Sequence, residues 1–313
     1  MKWNQVNRLA TAVLLLGPCT ASVAPAQEPI KHIVVIGIDG LSASGLRGAE
    51  TPVMDSLIAA GSASWSARTV LPSVSSPNWA SILLGAGPEQ HGVTSNDWKL
   101  ETHTLPAVVR GSDGRFPSIF SVLKSQHPDA QVGSVYQWEG FGRLYNHAFV
   151  DYDLRQSTAD STAAAAAHYI QENRPVLTVV HLDHVDGAGH HYGHGSPAYF
   201  QAISKADTLV GQLLDGIKRA GIAGETLVII TSDHGGIGKG HGGETPEETT
   251  IPLIMSGPGI KAGYQLKQPI YPYDIAATIA FALQLKRPYV WIGRPIRAAF
   301  TGADQPENEG LSD

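Results

Sequence analysis

Six residues of this chain have the chemistry of metal ligands, and a seventh has that of a nucleophile. Asp186-Gly187-Ala188-Gly189-His190 sets a carboxylate and an imidazole four residues apart, so both can turn toward one ion. The two glycines oppose a regular helix, and a tight loop at a strand end is the expectation. By itself this spacing equally describes a solvated polar loop. Thr231-Ser232-Asp233-His234-Gly235-Gly236 follows an apolar run and precedes His241-Gly242-Gly243. A buried carboxylate must be paired or metal-bound, and the glycines let His241 fold back. Asp39-Gly40 closes another apolar run, and alone it reads as a loop aspartate capping a turn. Together the six form an oxygen and imidazole set without thiolate. That set suits zinc and, less selectively, manganese or iron, and it is large enough for two ions.

Ser75-Ser76-Pro77-Asn78-Trp79 runs into Ala80-Ser81-Ile82-Leu83-Leu84-Gly85. Serine before proline, then an apolar run closed by glycine, is a helix start and stop. One reading ends there, with Ser75 or Ser76 as a plain N-cap. The other uses the same helix end for chemistry. Its free N–H groups and positive dipole attract an anion, which would bring a phosphate beside a serine hydroxyl. A metal can lower that hydroxyl's pKa and turn it into a nucleophile.

Something must position these residues. The apolar, β-branched run 32–38 suits a strand buried on both faces. Similar runs predict strands at 131–136, 176–182, 225–231 and 251–256. Helices are predicted from Thr51-Pro52 to residue 60 and over 117–125, 158–173, 197–220 and 273–283. Alternation of this kind implies a mainly parallel sheet with helices on both faces. Ligands in such folds bind beyond the carboxyl ends of the strands. Asp39, Asp183 with Asp186, and Asp233-His234 each follow a different strand, so they should converge on one sheet edge.

The chain has 313 residues and a formal net charge of −6. An acidic chain is a poor binder of nucleic-acid backbone. Lys2 and Arg8, the apolar run 9–16 and Ala24-Pro25-Ala26 read as a secretory signal with Gln27 as the mature start. The run is shorter than the roughly 20 residues of a membrane span. Cys19 is the only cysteine, and Pro18 directly before it makes a poor lipid-attachment signal. The expectation is an exported protein, periplasmic or secreted, without disulfides. Residues 27–301 would form the catalytic domain, and the polar stretch 302–313 a disordered tail.

Asp39, the Ser-Ser-Pro-Asn segment, Asp186 with His190, Asp233-His234 and His241 stand in the order used by the alkaline phosphatase superfamily. The chain most resembles its type I phosphodiesterase/nucleotide pyrophosphatase branch, from Ile33 to about Ile296. The resemblance implies an α/β fold, a three-layer sandwich with a mainly parallel central sheet flanked by helices. It implies two zinc sites: Asp186, His190 and His241 at the first, and Asp39, Asp233 and His234 at the second. The nucleophile oxygen completes the second site. That nucleophile lies two residues before Pro-Asn, at Ser75, where the branch more often has threonine. Asn78 matches an asparagine that donates a hydrogen bond to a phosphoryl oxygen, and Asn96 resembles another position near the pocket. The implied reaction is hydrolysis of a small phosphorylated substrate through a phosphoserine.

The chain departs from the branch at Ser76, where pyrophosphatases often carry an aromatic that stacks on a base. Trp79, Trp98, Tyr136, Trp138 and Phe141 are other candidates for an apolar wall, though each reads first as core or surface. His184, His191 and His194 crowd the first site and read as exposed spares. A phosphodiesterase or pyrophosphatase is the leading expectation, because the nucleophile segment has no arginine to grip a doubly charged monoester. A phosphomonoesterase on the same metals is the alternative, with Arg68 or Arg143 in that part. A sulfatase would need arginine where Trp79 stands. A cofactor-independent phosphoglycerate mutase is much longer, and a scaffold with a decayed site would not keep all seven residues.

Overall fold

The computed structural model describes Met1 and residues 30–302. Met1 apart, the expected leader with Cys19 lies outside the described residues, as does the expected tail beyond Gly302. Eight strands form one sheet: β1 (His32–Ile38), β2 (Ser62–Arg68), β3 (Val132–Tyr136), β4 (Tyr152–Arg155), β5 (Leu177–Leu182), β6 (Thr226–Thr231), β7 (Thr250–Ser256) and β8 (Tyr264–Gln265). Their order is β4-β3-β5-β1-β6-β7-β2-β8. The five strands from β4 to β6 run parallel, whereas β7 is antiparallel to both β6 and β2.

Side chains alternate across a strand, so a strand between two helical layers must be apolar on both faces. On β1, Ile33 and Val35 enter one core with Trp79, Ile82 and Leu83. Val34, Ile36 and Ile38 enter the other, with Leu46, Met54, Ala163 and Val210. Helices Ser75–Leu84, Ile119–Gln126 and Tyr273–Ala282 cover the first face. Helices Pro52–Ala60, Ala159–Asn173 and Pro197–Arg219 cover the second. This is the expected three-layer α/β sandwich.

Local signals set most boundaries. The hydroxyl of Thr158 accepts from the Ser161 N–H, and that of Ser196 from the Tyr199 N–H, starting the two long helices. Asp207, on helix Pro197–Arg219, accepts from the backbone N–H groups of Val53 (3.1 Å) and Met54 (2.7 Å). A carboxylate thus caps the N-terminus of helix Pro52–Ala60 and locks the two helices together.

One expectation needs correction, and one strand carries no signal of its own. Residues 184–192 form a helix, His184–Tyr192, instead of a tight loop. Tertiary packing overrides the glycine penalty of about 1 kcal/mol per residue: the ring of His194 lies where a Cβ on Gly189 would have to go. Strand β2, with sequence SASWSAR, has no apolar run to announce it. Its buried Ser62 is satisfied by donating to the Lys261 carbonyl at 2.9 Å, so a polar residue can stay inside.

Candidate metal centre

The carboxyl ends of β5, β1 and β6 lie side by side. Asp39 leaves β1 with its N–H on the Leu182 carbonyl (2.9 Å), and the Gly40 N–H donates to Asp233 Oδ1 (3.2 Å). The three acidic strand ends are thereby fixed against one another. Asp186 and His190 stand one helical turn apart on His184–Tyr192, with Asp186 Oδ2 3.2 Å from His190 Nε2. The loop after β6 brings His241 Nε2 to 3.1 Å from His190 Nε2 and 3.7 Å from Asp186 Oδ1.

Among the described residues, Asp186, His190 and His241 can each offer one ligand atom within 4.8 Å of the others, and so can Asp39, Asp233 and His234. These are the two expected sets. Asp39, His181 and Asp183 make a further cluster that shares Asp39. In the second set His234 Nε2 lies 3.1 Å from Asp233 Oδ2 and 3.4 Å from Asp39 Oδ1.

The donor atoms fit cations. Nδ1 of His190 donates to the Lys239 carbonyl (2.9 Å), that of His241 to the Ser73 carbonyl (3.1 Å) and that of His234 to the Gly235 carbonyl (2.8 Å). Each bond fixes the tautomer and turns the Nε2 lone pair inward. Asp39 Oδ1, Asp186 Oδ1 and Asp233 Oδ2 are buried and make no hydrogen bond. Lone pairs facing buried carboxylate oxygens require a positive charge between them. In the metal-free protein a proton supplies part of it. Burial, the largest single influence, would lower His234, but the charge and hydrogen bond of Asp233, with Asp186 and the Gly235 carbonyl, together lift it to about 9. Burial and the charges of Asp233, Asp186 and Asp183 raise Asp39 well above the carboxylate range. Burial, then Asp186 and Asp233, lift Asp183 to about 6. The charge of the His234–Asp233 pair also prevails over burial at Asp233, which stays below its usual value.

Ser75 opens helix Ser75–Leu84, but the N-cap is Val74 and no side chain caps the helix. The Ser75 hydroxyl is therefore not spent on capping. It is buried and lies 3.2 Å from His234 Nε2, at the second ligand set.

The two asparagines differ from each other. Asn78 is fully buried and holds the loop before its own helix. Its Oδ1 accepts from the Val70 N–H (2.8 Å), and its Nδ2 donates to the carbonyls of Val74 (2.9 Å) and Pro72 (3.2 Å). With both ends occupied, Asn78 has nothing left for a phosphoryl oxygen. Asn96 lies beside the nucleophile, its Oδ1 accepting from the Ser76 N–H at 2.8 Å, and its Nδ2 makes no hydrogen bond among the described residues. Arg143 Nη2 donates to the Asn96 carbonyl at 3.2 Å.

Some residues at the centre had no signal of their own. Trp79 Nε1 and His181 Nε2 both donate to Asp39 Oδ2, each at 3.0 Å, leaving Oδ1 to face the ligand set. Trp79, Trp98, Tyr136 and Phe141 are buried, while Trp138 is half-buried. His191 is exposed, but His184 and His194 are half-buried. The ring of His194 also lies where a Cβ on Gly236 would have to go, so it wedges the helix of the first ligand set against the loop of the second. Arg68 ends β2 beside a cavity of about 550 Å³ that it lines with Leu71, Glu244, Tyr271 and Tyr273. None of the six ligands lines that cavity.

Known proteins resemble this chain in sequence or in fold. The type I phosphodiesterase/nucleotide pyrophosphatase family model matches residues 33–238, which stops short of His241. A pyrophosphatase/phosphodiesterase of Schizosaccharomyces pombe is 27% identical over 65% of this chain and 44% of its own length. Human ectonucleotide pyrophosphatase/phosphodiesterase family member 1 is 25% identical over 67% of this chain and 24% of its own. The chain thus spans less than half the length of either relative. Murine ectonucleotide pyrophosphatase/phosphodiesterase 5, solved as an inactive form with AMP, superposes with a TM-score of 0.69 at 16% identity, covering 82% of this chain and 96% of that one. A variant of the alkaline phosphatase PafA gives 0.73 at 12% identity, covering 88% and 100%. A 2-O GAG sulfatase gives 0.71 at 17%, covering 90% and 76%. At such identities these structures speak to the fold alone. The family match, over most of the sheet and five of the six ligands, settles membership: this chain belongs to the type I phosphodiesterase/nucleotide pyrophosphatase family.

Proposed function

We propose that this protein is a two-zinc hydrolase of phosphodiester or pyrophosphate bonds that works through a phosphoserine on Ser75. The observation that carries the reading is the Ser75 hydroxyl, free of any capping role, 3.2 Å from His234 Nε2. Asp186, His190 and His241 would hold one ion, and Asp39, Asp233 and His234 the other. Ions there would lower the pKa of the serine hydroxyl and offset charge on the attacking and leaving oxygens. Ser75 Oγ attacks phosphorus in line and the leaving alcohol or phosphate departs. Water then cleaves the phosphoserine and returns the hydroxyl. Asn96 Nδ2 and the backbone N–H of Ser75, the helix-end donor that neither Asn96 nor Val74 occupies, would hold the non-bridging oxygens. Trp79 and His181 keep Asp39 turned so that Oδ1 serves as ligand.

The leader-like sequence of residues 1–26 supports export, and we propose a periplasmic or secreted protein whose catalytic domain is residues 27–301. Among the described residues no helix is long and apolar enough to cross a membrane. The monoester reading rests on Arg143, half-buried behind Asn96, whose Nε makes no hydrogen bond. Turnover of bis-p-nitrophenyl phosphate against p-nitrophenyl phosphate by zinc-loaded protein separates the two. Preference for the diester supports the first reading, and preference for the monoester moves the function to the second with the site unchanged.

A further inference from the structure

We infer that Ser73 is a positioning residue that clasps the His241 loop to the nucleophile segment, so that the first ligand set and Ser75 are organised as one unit. The inference rests on the two-metal reading proposed above. Ser73 is fully buried two residues before Ser75. Three hydrogen bonds join it to three consecutive residues of the other loop. Its carbonyl accepts from His241 Nδ1 at 3.1 Å, its hydroxyl accepts from the Gly242 N–H at 3.2 Å, and the same hydroxyl donates to the Gly243 carbonyl at 2.6 Å. One serine therefore sets both the tautomer of His241 and the path of the backbone that carries it.

The clasp is anchored at both ends. On the nucleophile side, Asn78 grips the carbonyls on either side of Ser73, those of Pro72 and Val74. On the ligand side, Glu248 accepts from the Gly243 N–H (2.8 Å) and the Thr245 hydroxyl (2.7 Å). Gly242 has φ +114, a conformation that favours glycine, and a Cβ there would crowd Val74 Cγ1 at 3.1 Å. The loop is thus shaped to lie against the nucleophile segment. His190 and Asp186, by contrast, sit one turn apart on helix His184–Tyr192. His241 is the ligand of the first set that depends on a loop, and Ser73 is what that loop rests on.

Removing the hydroxyl strips the Gly242 N–H and the Gly243 carbonyl of their partner while leaving all six ligands and Ser75 in place. Loss of such outer contacts costs about 10- to 100-fold in metal affinity. The test compares full-length wild type, Ser73→Ala and Ser73→Thr, the last keeping a hydroxyl. Backbone hydrogen exchange is measured on metal-free protein, then zinc is titrated against a chromophoric chelator. In Ser73→Ala, exchange over residues 241–245 should quicken about tenfold or more with β1 unchanged, and one of the two zinc affinities should fall about 10- to 100-fold. Ser73→Thr should restore much of both. Unchanged loop exchange overturns the inference, as does an equal fall of both affinities alongside a general loss of stability. If Ser73→Ala does not fold, Ser73→Cys, which keeps the shape and weakens both hydroxyl bonds, is read by loop exchange on metal-free protein alone, because a thiolate can itself bind zinc. Wild type that takes up fewer than two zinc ions sinks the two-metal reading, and loop exchange then decides the clasp separately.

Discussion

Two asparagines, Asn78 and Asn96, divide the work around Ser75, and only one of them has a group to spare. Asn78 is buried with its amide committed to backbone atoms of residues 70–74, whereas Asn96 keeps Nδ2 unspent beside the nucleophile. Asn78→Ala should therefore act through stability, lowering it by about 2–4 kcal/mol in chemical denaturation, because it leaves several buried backbone groups unpaired. Asn96→Ala leaves one backbone group, the Ser76 N–H, without its partner and should cost only about 1–2 kcal/mol of stability, yet lower kcat for a diester about 10- to 1,000-fold. Equal effects of the two on kcat at unchanged stability would contradict this division. The family resemblance marked both asparagines but could not say which faces the site. That depends on how the loop 70–74 closes, through hydrogen bonds that leave no periodic trace. The ligands were legible for the opposite reason. A carboxylate at the end of an apolar strand is costly unless something charged meets it, so Asp233 beside His234 draws notice, and Asp39, which alone reads as a turn cap, gains its meaning from the set.

At the scale of elements, the centre depends on contacts that hold the ligand-bearing segments at fixed distances. Gly37 on β1 faces the indole of Trp79, with no room for a Cβ between them. Because that indole donates to Asp39 Oδ2, Gly37→Ala should push it away and loosen a ligand it does not itself touch. Zinc affinity should fall about tenfold or more at one site, measured by chelator competition, with the other site little changed. Unaltered affinity at both would show that Asp39 does not need the indole. Helix His184–Tyr192 was the element hardest to read. Its glycines argue for a loop, and the reason they are tolerated, the His194 ring packed over Gly189, comes from outside the helix. The serine-rich β2 was hidden likewise, since its place in the sheet is set by pairing with β7 and not by its own composition. Strands β1, β5 and β6 and the long helices, with strong periodicity and clear caps, were readable throughout.

For the molecule as a whole, the alternation of strand and helix carried the fold, because a parallel sheet covered on both faces leaves few other solutions. The same burial makes the protein sensitive to acid. Burial holds His91 down to about 3 and His184 down to about 4. Above their ordinary value of 6.5 both are neutral whether folded or not, so their contribution is fully present there. As pH falls from 6.5 toward 4, the unfolded chain takes up protons that the folded chain refuses, and stability drops. Asp39 and Asp183, raised in the metal-free protein, pull the other way over the same window, so the loss is read as a difference: the stability of metal-free wild type relative to His91→Gln should shrink by about 1 kcal/mol or more as pH falls from 6.5 to 4, and a constant difference in chemical denaturation would contradict it. Chelation should also lower the unfolding temperature, since six polar ligands then face one another without the cations they fit.

The central claim is that Ser75 attacks the phosphoryl group. Turnover of bis-p-nitrophenyl phosphate by zinc-loaded wild type and Ser75→Ala, each with its bound zinc measured in the same samples, tests it most directly. The account predicts that the variant keeps both ions, or loses affinity only at the second set, while its rate falls by about a thousandfold or more. A variant that holds its zinc and turns over within about tenfold of wild type would contradict it, and the nucleophile would have to be sought elsewhere.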